Sequence, residues 1–506
     1  MADLAISSPL IVAIDQGTSS TKVIVVDAGG AVVAQASVAI GAAHPQAGWV
    51  EQDANEIATS VVDAVAAATE GITDRVVGVG LSSQRESALI WDRATGEPLG
   101  PLLGWQDRRT RARAADLTEA GHSDLVREIT GLPIDPMFSA LKLAWLLDAA
   151  DPDRVRSNAG EIAAGTVDSW LLFRLTGEHR IEVGNASRTQ LLSLDTLDWD
   201  DRLLDIFGVP GAVLPAVVAS SAPSAPVRGL AVPTETRILA VLGDSHAALF
   251  AHGVRTPGEV KVTYGTGSSV MGLVSADGVA GVQRAGDGLV TTVAWSTDAP
   301  AYAFEGNILS TGSTLIWLAD VLGTTPAALI ELAADPSAGH GVNLVPAFAG
   351  LGAPWWDENA QALISGISLG TTRADLARSA VESIALQIED VRAAADTGAH
   401  RVERVLVDGG PSSNDALMQL QADLSDRTIE RPGVAELSAL GAAHLAGIGT
   451  GLWTEEQVLA LPKATTTFTP DAAASARTAA SVRRRGWRSA VDLSRGIPVR
   501  PDASIS

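Results

Sequence analysis

Apolar residues fall in short runs along this chain of 506 residues, and segments with apolar positions at helical spacing separate the runs. The runs 76–81 and 402–407 are typical of buried strands, and each leads into a turn rich in glycine or serine. The segment 374–397 has the period of a long helix, with Asp375 near its start. This alternation indicates an α/β fold. Further predicted elements are helices at 414–424 and 437–447 and a proline-rich loop at 219–233.

A hairpin pattern occurs near the start of the chain and again close to its midpoint. The segments 11–30 and 260–274 each contain a β-branched strand, a Gly/Thr/Ser turn and a second strand. The matched small residues are Gly17, Thr18 and Ser20 in the first copy and Gly265, Thr266 and Ser268 in the second. Such a repeat indicates duplication. It predicts two similar domains, residues 1–250 and residues 251–506.

Composition narrows the range of partners. The 36 basic and 59 acidic residues give a net charge of −23, and the isoelectric point is near 4.7. Such a chain lacks the basic footprint with which proteins bind nucleic acid, and an anionic membrane surface would repel it. The absence of cysteine removes disulfides, thiolate nucleophiles and cysteine-ligated metals.

The N-terminal segment and the apolar runs bear on location in the cell. Residues 1–14 have no basic region ahead of their apolar stretch, so a secretory signal is not expected. The apolar run at 10–14 is far shorter than the roughly 20 residues of a membrane span. We therefore expect a cytoplasmic protein with no membrane insertion.

The two hairpin turns are candidate phosphate sites. A P-loop requires a Gly-Lys pair, which occurs nowhere in the sequence. Turns of small residues let backbone N–H groups point at an anion, and Thr or Ser adds hydroxyl donors. Asp15, at the end of the first strand, could hold a phosphate-bound Mg²⁺, which prefers one or two carboxylates plus waters. Two such turns facing each other would hold a nucleoside triphosphate, and two ordinary hairpins remain the alternative.

A third glycine-rich element lies in the second half of the chain. Residues 405–414 contain a strand, a Gly409-Gly410 turn and the start of a helix. Such a turn lets a flat ligand approach the backbone closely. This pattern suggests an adenosine site and is weak by itself.

Asp244 is a candidate general base. It follows the strand predicted at 237–242, where a carboxylate can accept a proton from a substrate hydroxyl, and a helix N-cap is the alternative interpretation. Ser245 and His246 complete an Asp-Ser-His run, but adjacent residues point in different directions and no G-x-S-x-G elbow is present. We therefore interpret His246 as structural and disfavour a hydrolase.

A polar cluster matches the chemistry of a polyol. Gln84, Arg85 and Glu86 stand in one segment, and Trp105 stands in another. Arg as donor, Glu as acceptor and Trp as a flat wall suit several hydroxyls on an apolar carbon face. A surface ion pair and a core Trp are the alternatives. The basic segment 481–488 is interpreted as the solvated face of a terminal helix rather than a binding patch.

With these motifs in place, the sequence resembles the FGGY carbohydrate kinases, and within that family most closely the glycerol kinases. The resemblance extends from about residue 11 to residue 453. Both family signatures can be traced, at 137–148 and 362–382. Its specific anchors are residues 14–18, 83–86, 105–110, 264–267, 345–357 and 407–410.

The resemblance implies an α/β architecture of two actin- and hexokinase-like (ribonuclease H-like) domains around a central cleft, where ATP and a small polyol or sugar meet. It implies that Asp244 is the general base and that Asp15 and Asp244 hold Mg²⁺. The substrate-binding residues that it implies are Gln84, Arg85, Glu86, Trp105, Met137, Asp244, Ser245 and Ser269. The ATP-binding residues that it implies are Gln16, Gly17, Thr18, Ser19, Gly265, Thr266, Gly312, Ile316, Gly410 and Asn414.

Three pocket positions depart from the glycerol kinases, which have Tyr where Met137 stands, Gln where Ser245 stands and Phe where Ser269 stands. The preserved residues are Arg85, Glu86, Trp105 and Asp244. The half of the pocket that binds two hydroxyls is thus retained, while the rest is smaller, more open and differently polar. We expect a polyol or ketose of four or five carbons, with glycerol as the alternative. Ile316 replaces a Gln at the nucleoside wall, which bears on nucleotide preference.

Two other classes stay open at this point. A nucleotide-binding module without sugar transfer, either an ATPase or a sugar-sensing pseudokinase, would not need Asp244 together with the Arg85 cluster. A metal-dependent hydrolase rests only on the Asp-Ser-His run. Family members are often homodimers or homotetramers, which the resemblance also allows here.

Overall fold

Two mixed β-sheets form the framework of the computed structural model, which describes residues 8–274, 288–335, 338, 341–396 and 401–497. The first sheet has the order β5-β4-β1-β2-β3. In it β1 is antiparallel to β2 and parallel to β4. Its strands are β1 (Leu10–Gln16), β2 (Ser20–Asp27), β3 (Val32–Ala39), β4 (Val76–Ser83) and β5 (Ile238–Gly243).

The second sheet has the order β8-β9-β7-β6-β10-β11-β12. Its strand β6 is antiparallel to β7 and parallel to β10, as β1 is to β2 and β4. Its strands are β6 (Glu259–Tyr264), β7 (Ser268–Leu273), β8 (Val290–Ser296), β9 (Pro300–Ile308), β10 (Arg404–Asp408), β11 (Thr428–Pro432) and β12 (Thr465–Phe468).

The internal repeat predicted from the sequence is present in the topology. The order β5-β4-β1-β2-β3 recurs as β11-β10-β6-β7-β9. Both hairpins leave a three-residue turn, 17–19 in the first sheet and 265–267 in the second. The predicted strands at 76–81 and 402–407 correspond to β4 and β10. The carboxyl ends of the parallel strands in each sheet therefore meet at one edge, where ligands bind in α/β folds.

The helices cover both sheets, and the predicted loop at 219–233 contains neither helix nor strand. The helices of the first half are α1 (Ala54–Ala68), α2 (Arg111–Glu119), α3 (Ser123–Thr130), α4 (Ser139–Ala150), α5 (Val155–Asn158), α6 (Val167–Thr176), α7 (Val183–Ser187), α8 (Asp201–Phe207) and α9 (Asp244–His252). Those of the second half are α10 (Gly312–Val321), α11 (Pro326–Ala333), α12 (Arg373–Ala395), α13 (Asp415–Ser425), α14 (Leu437–Gly449), α15 (Glu455–Ala460) and α16 (Ala474–Ser494).

Short pairs of strands and single 3₁₀ turns complete the secondary structure. The predicted helices at 374–397, 414–424 and 437–447 are confirmed as α12, α13 and α14. The paired short strands are Glu51–Gln52 with Leu102–Leu103, Leu89–Asp92 with Ile162–Gly165, Arg180–Glu182 with Ala216–Val218, Leu192–Ser193 with Asp198–Trp199, and Asn343–Val345 with Leu363–Ser365. The 3₁₀ turns are Thr73–Arg75, Gly211–Val213 and Gly410–Ser413.

Helix α14 joins the two halves of the molecule, because it belongs to the second half and packs on α9, β4 and β1. Two glycines allow this close approach. A Cβ on Gly441 would lie 1.9 Å from the carbonyl oxygen of Ala247, and one on Gly80 would lie 2.2 Å from that of Ala442. The apolar core that α14 shares with α9 therefore depends on hydrogen atoms at these two positions.

We expect Gly441→Ala to destabilise the protein by about 1–3 kcal/mol, because α14 must move away from α9 to make room for the methyl group. Thermal unfolding measured by calorimetry checks this. Ser438→Ala, on a half-buried position of the same helix, is the matched control and should change stability by less than about 0.5 kcal/mol. An equal effect of both substitutions would contradict the close-packing argument.

The basic segment 481–488 lies on α16, as expected, but the prediction that it forms a solvated face is wrong for part of it. Arg483 pairs with Glu382 and donates to the carbonyl of Val342, and Arg484 donates to the carbonyl of Leu424. The indole of Trp487 on the same helix is buried. These arginines anchor α16 because their neighbours in the fold are carboxylates and carbonyl oxygens.

In the part of the chain that the structure describes, no single helix is long and apolar enough to cross a membrane. The bent pair α10 and α11 meets the length and composition criteria together.

Candidate active site

The second hairpin turn is fixed by the start of α10. The amide of Gly312 donates to the carbonyl of Gly265 at 3.0 Å, and the amides of Thr311 and Ser313 donate to that of Thr266 at 3.0 and 3.1 Å. A Cβ on Gly312 would lie 2.5 Å from the carbonyl oxygen of Gly265. The structure thus brings the predicted phosphate residues Gly265, Thr266 and Gly312 together at the carboxyl end of β6.

The predicted adenosine turn lies beside this phosphate turn. Gly409 has φ of +87°, and a Cβ on it would lie 2.0 Å from the carbonyl oxygen of Tyr264. Only glycine fits a backbone with that φ and that close a neighbour. Gly410 follows at once, and Asn414 caps α13 by accepting from the amide of Leu417 at 2.9 Å. Backbone packing therefore joins the turns at the ends of β6 and β10.

Ile316 extends this nucleotide side along α10. It stands one helical turn after Gly312 and is 60% exposed. An apolar side chain exposed to this degree on a helix that begins at the phosphate turn is available to a ligand. The structure is consistent with the predicted position of Ile316 at the nucleoside wall.

The first hairpin turn is held by two glutamines. Gln52 donates to the carbonyl of Thr18 at 2.9 Å, and Gln84 donates to Gln52 at 3.0 Å and to the side chain of Gln16 at 3.3 Å. Gln84 is a predicted substrate ligand; its amide nitrogen is used to fix the turn, while its buried Oε1 has no hydrogen-bond partner. Ser19 is exposed at the tip of the turn and is accessible to a phosphate, whereas the amide of Gly17 already donates to the carbonyl of Ser20 at 3.0 Å.

Asp15 lies at the carboxyl end of β1, and Ser82 of β4 donates to its Oδ1 at 2.9 Å. Burial and the negative charge of Asp244 raise the pKa of Asp15 to about 7. Mg²⁺ prefers one or two carboxylate oxygens as ligands, and Asp15 and Asp244 supply such a pair at this edge of the sheet. The residues present therefore fit a magnesium ion.

Asp244 is the first residue of α9, directly after β5. Its neighbour Gly243 occupies the N-cap position, so the alternative interpretation of Asp244 as the N-cap is wrong. Desolvation raises the pKa of Asp244, and the guanidinium of Arg85, with Nε 3.2 Å from Oδ1, acts in the opposite direction. The side chain is 37% exposed, so a substrate can reach this carboxylate.

Arg85 and Glu86 follow β4 at the same edge and are both buried. Arg85 pairs with Glu305 of β9 through two hydrogen bonds, of 2.8 and 3.1 Å. Glu86 accepts from Arg188 at 2.6 Å. Neither Glu305 nor Arg188 was predicted from the sequence. A signal existed for Glu305, because it is the one charged residue of the strand 300–308 and a buried carboxylate must be paired.

Met137 and Trp105 are the two residues predicted to form the remaining wall of the substrate pocket. The carbonyl of Met137 accepts from the buried Lys142, and burial lowers the pKa of that lysine to about 7. Trp105 is 37% exposed. It lies two residues beyond Leu103, which exchanges two 2.9 Å backbone hydrogen bonds with Ala88. Trp105 is thereby held beside the segment that carries Glu86.

Ser245 and Ser269 are half-buried on opposite halves of the molecule. On β7, Ser269 pairs with Asn307 of β9. Two residues further along β7, Met271 pairs with Glu305. Because side chains alternate across a strand, Ser269 and Glu305 lie on the same face of the second sheet. The hydroxyl oxygen of Ser269 is buried and has no hydrogen-bond partner.

His246 is fully buried, and its Nε2 lies 3.3 Å from Nη1 of Arg85. Burial and the charge of Arg85 lower its pKa well below 6.5, so the ring is neutral. Its contact is with Arg85 rather than with Ser245, which is the structural role expected for this histidine.

Comparison with known proteins decides the family. Residues 10–251 match the N-terminal domain of the FGGY family of carbohydrate kinases, and residues 260–450 match its C-terminal domain. The chain belongs to the FGGY carbohydrate kinases. It is therefore an enzyme, a sugar or polyol kinase, with the two-domain actin- and hexokinase-like fold of this family.

Individual relatives agree with the family. A glycerol kinase of Aromatoleum aromaticum is 44% identical over 96% of this chain and 99% of its own length. An apulose kinase of Pectobacterium atrosepticum is 41% identical over 98% of this chain and 100% of its own. The crystal structure of Plasmodium falciparum glycerol kinase with ADP superposes with a TM-score of 0.89 at 29% identity, covering 96% of this chain and 98% of that one.

Proposed function

We propose that this FGGY kinase transfers the γ-phosphoryl group of ATP to a terminal hydroxyl of a polyol or ketose of four or five carbons. The observation that supports it most is the meeting of Asp15, Asp244 and Arg85 at the carboxyl ends of β1, β5 and β4. Phosphoryl transfer depends on positioning and on charge neutralisation. This edge supplies a base, a donor for hydroxyls and a carboxylate pair for a metal.

In the proposed mechanism, Asp244 accepts the proton of the substrate hydroxyl as its oxygen attacks the γ-phosphorus in line, while the bond from the γ-phosphorus to the bridging oxygen breaks and ADP leaves. Arg85 and Glu86 orient the neighbouring hydroxyls as donor and acceptor. Turns 17–19 and 265–267 hold the phosphates through backbone amides and hydroxyls other than the amides of Gly17 and Gly265, which donate within the hairpins. Mg²⁺ held by Asp15 and Asp244 would neutralise phosphate charge. Closure of the cleft would exclude water, so that the alcohol receives the phosphoryl group.

The unpartnered hydroxyl of Ser269 supports a substrate larger than glycerol. A buried hydroxyl without a partner is unfavourable by about 1–3 kcal/mol, and a further substrate hydroxyl could satisfy it. Ser269 stands where the glycerol kinases have Phe, and Met137 where they have Tyr, so the pocket has room at these positions. The similarity to an apulose kinase also favours a substrate larger than glycerol.

A substrate panel tests this proposal. ADP release is measured with glycerol, erythritol, threitol, xylitol and pentuloses, and we expect kcat/KM for one of the larger compounds to exceed that for glycerol by at least about tenfold, or about 1.4 kcal/mol. Ser269→Phe should reduce the ratio of kcat/KM for the larger compound to kcat/KM for glycerol. Ser481→Ala on α16 is the control and should leave this ratio unchanged. A preference for glycerol over all the others would refute the larger substrate.

Glycerol is the second candidate substrate, and the 44% identity to a glycerol kinase over nearly the whole chain favours it. Arg85, Glu86, Trp105 and Asp244, which the glycerol kinases share, can bind a three-carbon polyol without help from Ser269. The same panel separates the two candidates. If glycerol is the substrate, its kcat/KM should exceed that of all the larger compounds, and Ser269→Phe should leave glycerol turnover intact.

A further inference from the structure

A carboxylate of the second sheet lies between the polyol-binding residues of the first. Glu305 on β9 is 0% exposed. Its Oε1 lies 2.8 Å from Nη2 of Arg85, and its Oε2 lies 3.1 Å from Nη1 of Arg85 and 3.0 Å from Nη1 of Arg188. Burial alone would raise the pKa of Glu305, but the two arginines hold it well below its usual range, so the group is ionised.

Each of these arginines also contacts a residue of the substrate site. Nε of Arg85 lies 3.2 Å from Oδ1 of Asp244, and Nε of Arg188 lies 2.6 Å from Oε1 of Glu86. These contacts form a series in which negative and positive side chains alternate, in the order Asp244, Arg85, Glu305, Arg188 and Glu86. Glu305 is the member of this series that the second sheet contributes, and the other four precede residue 251.

The position of Glu305 decides how the arginines can point. A guanidinium cannot lose its proton at ordinary pH, so Arg85 and Arg188 must each keep a carboxylate partner in this buried setting. Without Glu305, Arg85 would be drawn further onto Asp244 and would occupy the oxygen that accepts the substrate proton. Arg188 would lose the ion pair of its Nη1 with Glu305. The guanidinium would then be oriented only by the contact of its Nε with Glu86.

We propose that Glu305 is a positioning residue for the polyol, through which the second sheet orients Arg85 and Arg188 and leaves Asp244 accessible to the substrate hydroxyl. Glu305 itself touches none of the reacting atoms. The proposal rests on the proposed function, since it assumes that Arg85, Glu86 and Asp244 bind and activate the acceptor. It also makes the polyol half of the site depend on both domains being in contact.

Glu305→Gln tests the proposal, since it keeps the size of the side chain and removes its charge. We expect the KM for the polyol to rise about 10- to 100-fold, the effect typical of removing a group that orients a ligand-binding residue. The KM for ATP should stay unchanged.

Glu382→Gln is the matched control. Glu382 is likewise a buried carboxylate of the second half held by two arginines, Arg378 and Arg483, but it lies on α12. We expect it to lower the melting temperature without changing the KM for the polyol or the KM for ATP. If Glu305→Gln and Glu382→Gln behave alike, Glu305 is merely structural and the proposal is wrong.

Glu305→Asp provides a second variant in case Glu305→Gln does not fold. It retains the charge but is shorter by one methylene group, so we expect a smaller rise in the KM for the polyol with an unchanged KM for ATP. An unchanged KM for the polyol, or an equal rise in both, would overturn the proposal. The wild-type enzyme is assayed alongside on the whole substrate panel. Inactivity there would refute the proposed function, whereas wild-type activity with a silent Glu305 variant would refute this inference alone.

Discussion

Asp244→Asn should abolish phosphoryl transfer while ATP binding persists. Asn has nearly the same shape as Asp but cannot accept the substrate proton, so we expect kcat to fall by about 10³- to 10⁴-fold, at the upper end of what a general base contributes. In free energy of activation this is about 4–5 kcal/mol. Single-turnover ADP release measures the chemical step, and titration calorimetry with ADP in the absence of Mg²⁺ measures nucleotide binding.

A control separates the loss of this base from the loss of any buried carboxylate. Asp168 on α6 is fully buried, and its oxygens accept from Thr166 and from the amide of Glu182. Asp168→Asn should leave kcat within about twofold of wild type, since its hydrogen bonds are to Thr166 and the amide of Glu182 and not to the proposed catalytic residues. Undiminished turnover in Asp244→Asn would refute the base assignment.

The backbone of the turns proposed to bind the nucleotide could be predicted from the sequence, because each turn is formed by residues close together in the chain. Gly17, Gly265 and Gly410 stand in short segments whose strand-turn pattern fixes the backbone, and parallel strands bring their carboxyl ends to one edge whatever the details of packing. The repeat of the hairpin then predicts two sheets of one design. These inferences need the order of residues along the chain and little else.

The ion pairs around Arg85 could not be predicted in this way. Arg188 follows the short helix α7, and Glu305 stands in the middle of β9, so their contacts with Arg85 and Glu86 depend on how two sheets pack together. The sequence indicates only that a carboxylate inside an apolar strand needs a partner. The contacts of Gln84 could not be predicted from the sequence either, because its hydrogen bonds to Gln52 and to the first turn also depend on tertiary packing.

The basic segment on α16 illustrates why composition misleads about exposure. A run of arginines on a helix usually faces solvent. Here, however, Arg483 forms an ion pair with Glu382, and Arg484 donates to a backbone carbonyl. Both partners lie far away in the sequence, on α12 and at the end of α13. The prediction failed because burial of a charge is decided by the partner, and the partner is set by tertiary packing.

Asp15→Asn should reduce kcat by at least about 100-fold, or about 2.7 kcal/mol, by removing one of the two carboxylates proposed to hold Mg²⁺. The same variant should be more stable than wild type at pH 8 in the absence of metal. The pKa of Asp15 is raised from 3.8 to about 7 in the folded protein. A group raised in this way contributes stability that is fully present below about pH 4 and is lost as pH rises through about 7.

The stability difference between Asp15→Asn and wild type should therefore grow between about pH 4 and 7 and then level off. One pKa unit corresponds to about 1.4 kcal/mol, and after allowance for screening by water in the cleft we expect about 1–2 kcal/mol at pH 8. Thermal unfolding across this range measures it, with EDTA present. Added Mg²⁺ should then stabilise wild type and leave Asp15→Asn unchanged. Equal stabilisation of both proteins by Mg²⁺ would show that Asp15 is not its ligand. A pH-independent difference would contradict the raised pKa.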